Sequence, residues 1–84
     1  MGKLSDLPNI GAKLEEQLKK VSINTLQDLQ DLGSKEAWLR IKAIDDSACI
    51  HRLYALEGAI QGIKKSELSI DIKKELKDFY NLNK

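Results

Sequence analysis

The stretch Leu7-Pro8-Asn9-Ile10-Gly11-Ala12-Lys13-Leu14 constrains this chain more than any other. Proline fixes φ and asparagine tolerates turn geometry, so Pro8-Asn9 ends whatever precedes it. Gly11 then offers a backbone position without a Cβ at the mouth of a helical run. In that run Ile10, Leu14, Leu18 and Val21 fall at spacings of four, four and three, which gathers them on one face. Glu15, Glu16, Gln17, Lys19 and Lys20 fill the other face. A hydrophobe-glycine turn feeding a helix leaves the first N–H groups pointing outward at the positive helix end, where an anion docks. Ile23-Asn24-Thr25-Leu26-Gln27-Asp28-Leu29 opens another helix, so residues 4–32 read as a helix-hairpin-helix. An equally simple reading makes residues 8–11 only a tight connection in a helical bundle.

The rest of the pattern is also helical. Thr25 is an N-cap with Asp28 three residues on, a relative of the capping box, and Gly33 suits a C′ stop after Leu26, Leu29 and Leu32. Ser34 caps a further helix that holds Ala37, Trp38, Ile41 and Ile44, and Asp45-Asp46-Ser47 breaks it. The helix that follows, to Gly62, carries Cys49, Leu53, Leu56 and Ile60 as a seam. Apolar on most sides, it belongs at the centre. Gly58 inside it costs about 0.8–1 kcal/mol against alanine, which close approach of a neighbouring helix would offset. A last helix from Ser69 places Ile72, Leu76 and Phe79 at i, i+4 and i+7, with residues 81–84 fraying. The fold class is therefore all-α: one compact domain over residues 1–84, of five to six helices, containing a helix-hairpin-helix-like motif (SAM/HhH-like).

Size and charge narrow the function. A chain of 84 residues buries only about 60% of its unfolded surface, so its aliphatic core is thin. No apolar run approaches the roughly 20 residues of a bilayer span, and no signal-peptide pattern opens the chain, so no membrane is expected. The single cysteine excludes an intramolecular disulfide and points to a reducing, cytoplasmic setting. A net charge of +1 is too small for wholesale binding of nucleic acid, so any such contact is local.

No catalytic residue stands out. Cys49 and His51, two apart on a helix, point about 200° from each other. Cys49 reads as a core residue of the seam and His51 as exposed beside Arg52. Asp45-Asp46 is a loop and cap, and Glu57 a structural partner of a lysine or arginine. Without phosphate-loop, dinucleotide or zinc spacing, neither cofactor nor metal is expected, and the chain reads as no enzyme.

Binding to double-stranded DNA has a local mechanism. The N–H groups of Ile10, Gly11 and Ala12 donate to a backbone phosphate, Lys13 adds charge, and Asn9 hydrogen-bonds a phosphate or sugar. Such contacts position a protein without reading bases. Lys3, Lys19 and Lys20 extend the footprint, offset by Glu15 and Glu16. About three phosphate contacts imply weak, non-specific affinity of ~10⁻⁴–10⁻⁶ M and a log–log salt slope of about −3. A second hairpin at Ile44-Asp45-Asp46-Ser47 lacks glycine, and its carboxylates repel phosphate. The competing class is a protein-interaction domain with Trp38 and Tyr54 as anchors, against which a chain this small favours both as core.

With these residues in place, the chain resembles the C-terminal domain of the TfoX family, the Sxy-like regulators of bacterial competence. The resemblance rests on the block from Leu7 to Leu14, on Ile23-Asn24-Thr25-Leu26, and on Leu32-Gly33-Ser34-Lys35-Glu36-Ala37-Trp38-Leu39-Arg40. Its most specific part is Leu53-Tyr54-Ala55-Leu56-Glu57-Gly58-Ala59. It implies a compact helical domain related to helix-hairpin-helix folds, acting in transcription regulation with DNA or with a protein partner in transcription, and no catalytic residues. In longer members such a domain follows a separate N-terminal one. Two positions depart from the family pattern. Ser22 stands where glycine usually precedes Ile23, and Lys64-Lys65 stands where an aromatic is common, which makes that edge more basic. The reading is a non-enzymatic regulatory module that contacts DNA backbone through Asn9, Ile10, Gly11, Ala12 and Lys13. The alternative is a protein–protein interaction domain whose hairpin is purely structural.

Overall fold

The computed structural model describes residues 4–84, apart from the side chain of Ser5. In chain order it has a 3-10 turn at Leu4–Asp6, α1 (Ala12–Lys20), α2 (Leu26–Ile44), α3 (Ile50–Gln61), a second 3-10 turn at Lys65–Glu67, and α4 (Ile70–Asn83). No strand occurs among the described residues. Helix α3 is the centre, packed against α2 on one side and α4 on another. Leu53 and Leu56 of α3 are fully buried among Leu18, Ile23, Leu29, Ile41 and Leu76.

Helix ends follow from local chemistry. Thr25 caps α2 by accepting from Asp28 N–H at 3.1 Å, while the Asp28 carboxylate accepts from Asn24 N–H, one residue earlier than a strict capping box. Ser69 caps α4 by accepting from Ile72 N–H at 3.2 Å. At the end of α1, Ile23 N–H donates to Leu18 O and Ser22 N–H to Lys19 O, the paired bonds of a Schellman motif. The motif requires a left-handed residue, and Ser22 supplies it at φ 68°. Helix α3 ends with the same bonds, Ile63 N–H to Gly58 O and Gly62 N–H to Ala59 O, around Gly62 at φ 74°.

Trp38 ties three helices together. It is wholly buried, and its indole N–H donates to Cys49 O at 3.1 Å, just ahead of α3. Edge-on contacts to Phe79 and Tyr80, at 6.1 and 5.6 Å between ring centroids, hold α4 against it. Trp38 is thus a core residue, and half-buried Tyr54 points its hydroxyl at Lys73 O.

Several local expectations change. The break expected at Gly33 is present, at φ 84°, ψ 161°, so α2 is two helical halves meeting at that residue; counted as one helix it leaves four, short of five to six. The first arm of the expected hairpin is a single 3-10 turn. Ser34 caps nothing. It is buried, and its hydroxyl donates to Glu57 Oε1 at 2.7 Å. Glu57 therefore pairs with Ser34 and the Gln61 amide instead of a cation. Cys49 is not on the seam: it occupies the extended N-cap position of α3 and is half-buried. Residues 81–83 continue α4. What approaches Gly58 is not a helix but Asn9 and the chain after α3.

Candidate anion-binding cleft at the start of α1

The turn before α1 is held by Asn9. Its backbone is left-handed at φ 69°, a conformation asparagine tolerates better than most residues. Its side chain reaches the segment between α3 and α4: Nδ2 donates to Ile63 O at 3.0 Å and, more weakly, to Ala55 O at 3.5 Å. Oδ1 accepts from Lys65 N–H at 2.9 Å. Both ends of the carboxamide are therefore used inside the protein. Ile10 is also turned inward, with 4% of its surface exposed and its N–H donating to Leu7 O at 3.3 Å. Of the five residues expected to meet phosphate, these two anchor the turn.

The other three face outward. Gly11 is the N-cap of α1, no side chain caps the helix there, and Gly11, Ala12 and Lys13 are all exposed. The first N–H groups of a helix have no partner within it, and they sit at its positive end. Gly11 has φ −90° and ψ −179°, which any residue adopts, and a Cβ there would meet nothing within 4 Å. The fold does not need glycine at this position. Its lack of a side chain bears on what approaches from outside.

These residues border a cleft of about 270 Å³ between the start of α1 and α3, lined also by Leu14, Gln17, His51, Arg52, Ala55 and Lys65. None of the lining residues is acidic. Arg52 is neutralised by Asp45, its guanidinium donating to Oδ2 at 2.8 Å. The Asp45 carboxyl is held well below the usual carboxylate range, first by the Ser47 hydroxyl, then by Arg52, and further by Ser47 N–H and the Gln17 amide. Asp45-Asp46-Ser47 is thus a self-satisfied turn that tethers α1, through Gln17, to the start of α3. Lys13 and Lys65 have no ion pair among the described residues, and Lys3 lies outside them. Sequence reasoning placed Lys13 here but missed Lys65 and His51, which α3 and its exit bring to the cleft from the far end of the chain. The one local hint was the basic Lys64-Lys65 pair.

No cluster of His, Cys, Asp and Glu among the described residues is grouped to hold a metal ion, and no described helix is long and apolar enough to cross a membrane. Fold and cleft together define a small all-helical domain organised around an open helix start. The chain belongs to the TfoX C-terminal domain family, whose model matches residues 1–80. It is 36% identical over 77 residues to Protein Sxy of Escherichia coli (strain K12), a match covering 92% of this chain and 37% of that protein. The chain thus spans little more than a third of the length of that curated relative. Two crystal structures from Listeria monocytogenes share the fold at 52% identity. One is the triclinic form of an uncharacterized protein, with TM-score 0.95, covering 96% of this chain and 92% of that one. The other is the tetragonal form of a protein of unknown function, with TM-score 0.94, covering 96% and 99%.

Proposed function

We propose that this domain is a non-enzymatic regulatory module of transcription that touches the backbone of double-stranded DNA, with the 3-10 turn, the Asn9 hairpin and α1 acting as a helix-hairpin-helix. The observation that carries this reading is Gly11: an uncapped helix start with a glycine the fold itself does not require. A phosphate oxygen approaching the N–H groups of Gly11, Ala12 and Lys13 meets no side chain at Gly11, and Lys13 supplies charge beside it. Asn9 and Ile10 set the angle of the hairpin. Membership of the TfoX C-terminal family supports the regulatory half of the reading.

The competing reading is a protein-interaction domain with a structural hairpin. Its candidate anchors are less favourable than the sequence implied, because Trp38 is core and Tyr54 half-buried. The most exposed large apolar residues, Ile70 and Leu82, are 84% and 86% exposed. Twelve positions apart on α4, they stand about 18 Å apart along the axis and about a third of a turn around it, so they form no single patch.

An NMR titration of labelled protein with a short duplex of arbitrary sequence, at two salt concentrations, tests the proposal. The expected result is salt-sensitive shifts centred on the Gly11, Ala12 and Lys13 amides. Unmoved amides there at millimolar protein and low salt exclude the phosphate role and leave the protein-partner reading.

A further inference from the structure

We propose that the phosphate site is shared between two distant parts of the chain: the start of α1 with Lys13 forms one wall, and Lys65 with His51 forms the other, so a DNA strand lies across the cleft and not on the hairpin alone. This inference rests on the DNA-backbone reading and extends it to residues outside the hairpin.

Placement is the first argument. Asn9 and Lys65 lie 56 positions apart, yet Oδ1 of one accepts from N–H of the other at 2.9 Å. That bond fixes the point from which the Lys65 side chain leaves the backbone, and both Lys13 and Lys65 line the cleft. The bond that orients the hairpin therefore also sets the second cation beside it. Gly58 makes this possible, since a Cβ there would lie 2.5 Å from Asn9 Nδ2.

Charge is the second. Lys20, Lys35, Arg40 and Arg52 are each paired with a carboxylate. Lys13 and Lys65 have no such pair among the described residues, and no acidic residue lines the cleft between them. Two unneutralised lysines lining one groove that holds no carboxylate make it a positive site for an anion.

Gln17 sets a limit on what can fill the inner end of the cleft. It lines the same cleft, is 9% exposed, and its Oε1 has no hydrogen-bond partner. Its Nε2 donates to Asp45 Oδ2 at 2.8 Å, so turning the amide over would set oxygen against carboxylate and is no remedy. That oxygen accepts and calls for a donor such as water, so the anion's partners in the cleft are the open N–H groups of α1 and the two lysines.

Fluorescence anisotropy with a labelled duplex across a salt series tests the arrangement, using the wild-type chain, Lys13→Gln, Lys65→Gln, the double variant and Lys77→Gln. Lys77, exposed on α4 and outside the cleft, controls for loss of one charge. Lys65→Gln keeps its backbone N–H, so the bond to Asn9 survives, and an unchanged thermal midpoint verifies it. Lys13→Gln and Lys65→Gln are each expected to weaken binding several-fold and to reduce the magnitude of the salt slope by about 0.9, with the double variant losing about twice that. If Lys65→Gln behaves like Lys77→Gln while Lys13→Gln weakens binding, the shared site is wrong and the hairpin reading stands. A wild-type chain that does not bind the duplex at low salt overturns both.

Discussion

The carboxamide of Asn9 lies against Gly58: a Cβ built on that glycine would come within 2.5 Å of Asn9 Nδ2 and 2.8 Å of Ile63 O. A glycine inside α3 is thus explained by a side chain from the far end of the chain. In an exposed helix Gly→Ala gains about 0.8–1 kcal/mol. Here Gly58→Ala is expected to lose about 1–3 kcal/mol, because the Ile63 carbonyl is backbone and cannot step aside. Urea unfolding measures it. In an Asn9→Ala background the added loss from Gly58→Ala should shrink, since one of the two close contacts has gone. Equal losses in both backgrounds would leave Asn9 out of the account.

Ser22 and Gly62 perform the same task at the ends of α1 and α3. Each holds a left-handed residue inside a Schellman pair of bonds, at φ 68° and φ 74°. Only one is glycine. A non-glycine residue in that region is disfavoured by about 1–2 kcal/mol, part of which glycine returns through its freer unfolded chain. Ser22→Gly is therefore expected to stabilise the domain by about 0.5–1 kcal/mol, visible as a rise of about 2–8 °C in thermal midpoint. A lowered midpoint would show that Ser22 is not strained.

What was legible in the sequence is what short-range chemistry decides. Thr25 and Ser69 cap the helices they were expected to cap, and the face of Leu14 and Leu18 is buried as its spacing predicts. The all-helical class followed from such signals, and the family from the resemblance of whole residue blocks such as residues 53–59. The misplaced residues depend on partners remote in sequence. Ser34 has the local look of a cap, yet Glu57 lies 23 positions away and takes its hydroxyl inward. Cys49 fits the apolar seam by spacing, but α3 begins only at Ile50 because the Asp45-Asp46-Ser47 turn extends to Ala48. At the cleft, Gly11, Ala12 and Lys13 were visible as the start of a helix. Lys65 showed only as half of a basic pair, because a bond across 56 positions has no periodicity to betray its place.

The Asp45 network gives the fold an acid-sensitive joint. A carboxyl whose folded pKa lies below its unfolded value, near 4, stabilises the native state above that pH, and the contribution is lost as pH falls below it. Asp45→Asn removes the ion pair with Arg52 at all pH values. Its unfolding midpoint in urea is expected to fall below the wild type's at neutral pH, and the gap should narrow steadily as pH falls from about 4 to about 2. Parallel curves over that range would show that Asp45 titrates alike in the folded and unfolded chain.

Gly11 allows stability and binding to be driven in opposite directions. A Cβ at this position meets nothing, and its backbone suits any residue, so Gly11→Asp is sterically free. Aspartate at this N-cap accepts from the N–H of the second or third helical residue, Lys13 or Leu14, and places negative charge at the positive helix end. The variant is expected to be more stable by about 0.3–1 kcal/mol. The same carboxylate occupies the position proposed for a phosphate oxygen and repels the next one, so duplex binding should disappear while the thermal midpoint rises. An interaction domain with a purely structural hairpin predicts the gain in stability and no change in any binding. A Gly11→Asp chain that is more stable and still binds duplex as tightly as the wild type would remove the start of α1 from the DNA contact.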